Sequence, residues 1–394
     1  MLMIRSRRPV PLLALLLLLL TAGGSLAAAQ TAAAQAGAVD PLEAVRARFA
    51  PDRRVAVFDV TVERQKDGIA VRGEVESTAA HDAAIAALRA SGEPIVSDAI
   101  TVLPDPALGN KTHGIVRVSV ANVRGRPAHS AELVTQATAG WPVRLLKQQS
   151  GWYLVHTEPD GYLGWIEELQ LARVTSWDRQ AWESGPRVIA TQPYAVLRAA
   201  PAVDADPVAD LVIGSLLRSA GGSGDWIEAA LPDERRGFVR ASEVQDYAAW
   251  KASRTPTPDA IERTARQFMG VPYLWGGTSA KGFDCSGFVK TVLRQHGVEM
   301  PRDTDQQALE GTAVALDAGF TQLRMGDLLF FGTAATADRP ERISHVAIHV
   351  GKLEFIHASG LVRRNSLDPA SPIYAESLRA RLLRARRVLP PGGS

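Results

Sequence analysis

One cysteine, Cys285, is all that 394 residues contain. A lone thiol excludes an intramolecular disulfide framework, and in an oxidising compartment it would remain free. Charge of one sign is lacking too. The formal net charge is +2, and no long Lys/Arg block follows the first ten residues, so the chain carries no electrostatic footprint for nucleic acid. No phosphate-cradling glycine loop, helical H-E-x-x-H or flavin fingerprint is present, and no cofactor is expected. What is present is globular: 46% hydrophobic and 22% charged residues, enough for cores in two to four domains at a prior of about 150 residues each.

A long hydrophobic run is missing as well. Arg5, Arg7 and Arg8 precede an apolar stretch from 12 to 20, followed by Gly23, Gly24 and the small residues Ala27, Ala28 and Ala29. That stretch is shorter than the ~20 residues a spanning helix needs, and the order of basic, apolar and small segments is that of a cleaved secretory signal peptide. The expectation is a signal peptide over 1–29, no stable membrane anchor after cleavage, and a periplasmic or extracellular product. No cysteine near the cleavage site offers a thiol for lipid attachment.

Residues 30–40 are Ala-rich without periodicity and predict a flexible leader. From 41 to 108, strand-like alternation at 55–62, 69–75 and 95–103 brackets a helical HDAAIAALRAS, which predicts a small α+β domain. Two segments after it align with each other. ANVRGRP at 121 and AVLRAAP at 195 are each followed by a Gly to Trp interval of equal length, Gly140 to Trp152 and Gly214 to Trp226, with Trp165 matching Phe238. Short strands punctuated by Gly, Pro and Asp predict small β-barrels over 112–175 and 186–247. Their N-V-R-x-x-P openings and G-W closings resemble bacterial SH3 (SH3b) domains. A polar helix from 246 to 253 and the segment TPTPD then lead to a last domain, 257–388, where Thr257 caps a helix that starts at Pro258. Residues 389–394 form a tail.

In that last domain Cys285 opens a helical run whose Phe288, Val289, Val292 and Leu293 share a face, and Asp284 stands at the N-cap position. Unpaired N–H groups in a first turn favour a thiolate, which predicts a reactive sulfur. A nucleophile needs a base. The strand-like HVAIHV at 345–350 turns His345, Ala347 and His349 one way and Val346, Ile348 and Val350 the other, and FIHAS at 355–359 follows a Gly351-Lys352 turn. His345 and His357 on adjacent strands would form a Cys/His/His set, His345 as base and His357 holding its tautomer. A zinc site of His345, His349 and His357 is a rival that leaves the capped Cys285 without a purpose.

The run YLWGG (273–277), DCSGFV (284–289), PRD (301–303), GDLLFF (326–331), SHVAI (344–348) and FIHAS (355–359) resembles the NlpC/P60 family in order and spacing over about 130 residues. The resemblance implies a papain-like α+β fold with a central antiparallel sheet, so the whole is expected to be multidomain α+β. It makes Cys285 the nucleophile, His345 the base, His357 the orienting third member and Tyr273 an oxyanion donor. It implies substrate contacts from Asp284, Ser286, Arg302, Thr304 and Ser344, with Tyr162 and Glu132 of the first barrel as contacts for a free α-amino group. His349 departs from the pattern, since that position is commonly aromatic. The implied activity is a cysteine endopeptidase cutting the γ-D-glutamyl to diamino-acid bond of murein peptides, with murein peptides or peptidoglycan as partners. A non-catalytic cell-wall binding module is the alternative.

Overall fold

The computed structural model describes residues 40–390. The expected signal peptide and all but the last residue of the expected leader lie outside the described residues. Among the described residues no helix is long and apolar enough to cross a membrane.

A hairpin of Phe58–Gln65 and Gly68–Val75 and a parallel strand, Ile95–Val102, build the first unit's three-stranded sheet, with helix Thr78–Ala90 as the crossover. Ser77 caps that helix by accepting from the Ala80 N–H. Ala80, Ala84 and Leu88 recur every four residues, so one face is apolar, and they pack on Val60, Val71 and Val75. The first strand begins at Phe58, not at 55 as its alternation predicts. Residues 53–57 form a turn and loop instead. Tertiary bonds hold them there: the Val57 N–H donates to Glu76 at 2.6 Å, and the Arg54 side chain reaches Asp303.

Two seven-stranded units follow, the first spanning His113–Val116 to Leu171–Val174 and the second Arg187–Ala190 to Val244–Asp246. With each unit's strands numbered in chain order, both sheets run 7-1-4-5-6-2-3. The register repeats as well, Arg124 opposite Trp165 and Arg198 opposite Phe238. The internal similarity of the sequence therefore reflects a repeated topology.

The last unit opens with helix Pro258–Gln267, capped by Thr257, and continues with helix Cys285–Arg294. Six antiparallel strands follow in the order Thr312–Val314, Leu382–Arg387, Leu328–Thr333, Arg342–Gly351, Glu354–Ser359 and Leu361–Ser366. The Arg-rich end of the chain is thus an interior strand. One sheet face packs Val346, Ile348 and Ile356 against Phe283, Phe288 and Cys285, a core that also takes in Val212 and Ile213 of the second seven-stranded unit. The other face buries Leu329, Phe331, Ala347 and Phe355, so the alternation of the HVAIHV strand is as its sequence predicts.

Candidate active site

Cys285 is the first residue of its helix because Asp284 ends the preceding strand in extended conformation and its carboxylate accepts from the Gly287 N–H at 2.7 Å. The same carboxylate takes the Gly276 N–H at 3.0 Å and a forked contact from Arg302, whose Nη2 lies 2.5 Å away. Arg302 is 2% exposed and also donates to Ser286 Oγ at 2.9 Å. A buried guanidinium costs least when it is matched to a buried carboxylate; here Nη1 and Nη2 of Arg302 fasten the first turn of the helix while its Nε has no partner among the described residues.

Cys285 is 7% exposed, and its sulfur has Thr304 Oγ1 at 3.6 Å. Burial and the Asp284 carboxylate push the Cys285 thiol above its ordinary pKa, against lowering by Thr304 and the backbone N–H groups of Val346 and Ser286. The helix start was expected to favour the thiolate. In this environment desolvation outweighs it and disfavours the thiolate.

Val346 thus brings its strand to the sulfur, and His345 is the residue before it. The pairing of that strand with Leu328–Thr333 skips Ser344, placing a bulge at the approach to His345; bulges re-aim side chains. His345 Nε2 lies 2.7 Å from His357 Nδ1, and His357 Nε2 lies 3.0 Å from Asn365 Oδ1. The Asn365 amide donates to the Ile373 carbonyl at 3.0 Å, which turns Oδ1 toward the ring. An amide oxygen only accepts, so His357 carries its proton on Nε2, accepts at Nδ1 from His345 Nε2–H, and leaves the Nδ1 lone pair of His345 free. Burial pushes His345 down to about 3, with His357 and nearby arginines adding to it, and His357 down to about 4. Both rings are neutral at physiological pH.

A cleft of about 420 Å³ gathers Cys285 with Tyr273, Asp284, Ser286, Arg302, Thr304, Ser344, Tyr162 and Glu132. Tyr273 is pushed up to about 12 by burial and by its Cys285 and Asp284 neighbours, so its phenol stays a proton donor. Asp284, Ser286 and Arg302 are bonded mainly to one another. Ser344 is exposed at the rim, where Arg381 donates to it at 3.2 Å. Glu132 accepts from Trp275 Nε1 at 2.8 Å, and the Tyr162 hydroxyl donates to Asp303 at 2.9 Å. His349 stands apart with Nδ1 on the Arg324 carbonyl at 2.8 Å, and among the described residues no three potential ligands converge as a metal site.

Three participants were not picked out from the sequence: Asn365, Asp303 and Arg54. Asn365 sits on the strand after His357 at a position directly readable only once that strand is paired. Asp303 lay inside the PRD motif. Arg54 had no readable signal, since beyond its neighbour Asp52 its partners Asp303 and Asp305 are about 250 residues away.

Comparison with known proteins gives the family. The NlpC/P60 family model matches residues 270–387, and a curated gamma-D-glutamyl-L-lysine dipeptidyl-peptidase of Bacillus cereus is 32% identical over 269 residues, 66% of this chain and 76% of that protein. The chain belongs to the NlpC/P60 family. It is accordingly a cysteine peptidase by type, preceded by at least one bacterial SH3 domain: the bacterial dipeptidyl-peptidase SH3 model matches residues 123–171. The Bacillus subtilis gamma-D-glutamyl-L-lysine dipeptidyl-peptidase is 31% identical over 57% of this chain and 71% of its own length. A crystal structure of an NlpC/P60 family protein from Bacillus cereus superposes with a TM-score of 0.59 at 27% identity, covering 71% of this chain and all of that one.

Proposed function

We propose that this protein is an exported hydrolase that cuts the γ-D-glutamyl to diamino-acid bond of murein peptides bearing a free N-terminal L-Ala. The relatives' names supply the bond, and the cleft supplies the chemistry. The observation that carries the mechanism is the Asn365–His357–His345 chain, which ends in an unprotonated nitrogen beside the strand that touches Cys285. His345 takes the thiol proton as Sγ attacks the γ-carbonyl, and the new C–S bond leaves charge on the carbonyl oxygen. In this reading the Cys285 N–H and the hydroxyl of Tyr273, which lines the same cleft, hold that oxyanion. Its collapse breaks the C–N bond, with the proton passing from His345 to the departing amine. Water, deprotonated by His345, then hydrolyses the thioester.

In this reading residues 1–29 are the signal peptide, the seven-stranded units are SH3b barrels over 112–175 and 186–247, and 257–388 is the catalytic domain. The product acts in the periplasm or outside the cell. Replacing Cys285 with Ala is expected to abolish release of diamino acid from L-Ala-γ-D-Glu-L-Lys, a fall of more than about 10⁴-fold, with the circular dichroism spectrum unchanged. Retained turnover by Cys285→Ala would refute the mechanism.

A further inference from the structure

The unit over 40–103 lies outside both family models, yet it sends one side chain into the cleft. Arg54 lines the same cavity as Cys285 and Tyr162. Its five N–H donors are all spent: Nε and Nη2 on Asp52, Nη1 on Asp303 at 2.8 Å and Asp305 at 2.9 Å, and Nη2 on Asp305 at 2.9 Å. A guanidinium so occupied is a clamp, not a free hand for a substrate carboxylate.

What it clamps is the wall around Tyr162. The Tyr162 hydroxyl donates to Asp303 Oδ2, the oxygen that Arg54 Nη1 also holds. From the other side, the Arg54 carbonyl accepts from the N–H of Leu163, the residue after Tyr162 and the first of strand Leu163–Glu167, at 2.7 Å. Arg54 therefore brackets Tyr162 through both backbone and side chain, while Gln306 Nε2 fixes Asp52 at 2.8 Å. Asp52, Asp303 and Asp305 outnumber the Arg54 guanidinium they surround, and in the cleft lining the carboxylates of Glu132, Asp284, Asp303 and Asp305 still exceed the guanidinium groups of Arg54, Arg302 and Arg342. Such a wall favours an ammonium group and disfavours a neutral acyl cap in its place.

We infer that Arg54 is a specificity-determining positioning residue: through it the N-terminal unit holds Asp303 and Tyr162 in place and so helps restrict cleavage to peptides with a free amino end. The inference rests on the proposed substrate class.

The test compares L-Ala-γ-D-Glu-L-Lys with its N-acetylated form. The wild-type ratio of kcat/KM for free over acetylated peptide should fall by about tenfold or more in Arg54→Ala, chiefly through KM of the free peptide, and Arg54→Lys should recover part of it. Asp305→Asn, which removes one exposed partner of the clamp, should lower the ratio less and serves if Arg54→Ala does not fold. A merely structural Arg54 would lower turnover of both peptides together, and an unchanged ratio overturns the inference. Calorimetry of both peptides on Cys285→Ala, with and without Arg54→Ala, reads the same discrimination without turnover. Failure of the proposed reaction, seen as no cleavage by the wild type, is thereby told apart from failure of the clamp.

Discussion

Desolvation opposes charge on both the sulfur at 285 and the ring at 345, so the environment favours proton transfer during attack over a standing ion pair. Burial explains this on both sides: it raises the thiol and lowers the imidazole. Asn365 then matters by its lack of charge as well as by orientation. A carboxylate in its place would stabilise protonated imidazole in the pair, raising the pH at which His345 is lost as a base. Asn365→Asp is expected to move the acid limb of the kcat/KM profile to higher pH by about one unit, and Asn365→Ala to lower kcat by about tenfold with little change in KM. A pH–rate profile for Asn365→Asp that overlays the wild type would show that residue 365 is not linked to the base through His357.

At the scale of elements, the loop between helix Pro258–Gln267 and the thiol helix decides how the helix start meets the first barrel. Gly276 adopts φ +77°, and a Cβ there would lie 2.2 Å from the Leu133 carbonyl oxygen, while its N–H feeds the Asp284 cap. Gly276→Ala combines a left-handed backbone with an overlap on the Leu133 backbone, and a loss of about 2 kcal/mol or more is expected, read as a lower urea midpoint with unchanged slope. Equal midpoints for Gly276→Ala and wild type would mean that the loop is slack. Elements of this kind were legible in the sequence where the signal is local. The Thr257-Pro258 start, the Asp284 cap and the faces of HVAIHV all follow from residues within four positions of one another. The start of strand Phe58–Gln65 was not legible, because alternation continues through residues that long-range bonds pull out of the sheet. Arg54 was silent for the same reason: its meaning comes from Asp303 and Asp305.

Across the whole molecule the thiol helix is tied to the first barrel by a buried ion pair, Lys290 Nζ to Asp160 at 2.6 Å, both side chains 9% exposed. Burial works against ionising Asp160, but Lys290 and Thr157 outweigh it and hold its carboxyl below the ordinary value; burial also pushes Lys290 down. Such a pair adds little over an apolar replacement of both partners, but it is expensive to halve. Gln136 of the same barrel accepts from Thr278 N–H and Ser279 Oγ at 3.0 and 2.9 Å, and Trp275 reaches Glu132. The barrel wall and the helix that carries Cys285 are therefore one mechanical piece, and loosening their bond should be felt in the cleft. Lys290→Met, which strands Asp160 in the interior, is expected to cost about 3–5 kcal/mol and to raise KM, whereas Lys290→Met with Asp160→Leu should restore most of the stability. If the double variant melts no higher than Lys290→Met alone, the loss lies in packing around residue 290 and not in an uncompensated carboxylate.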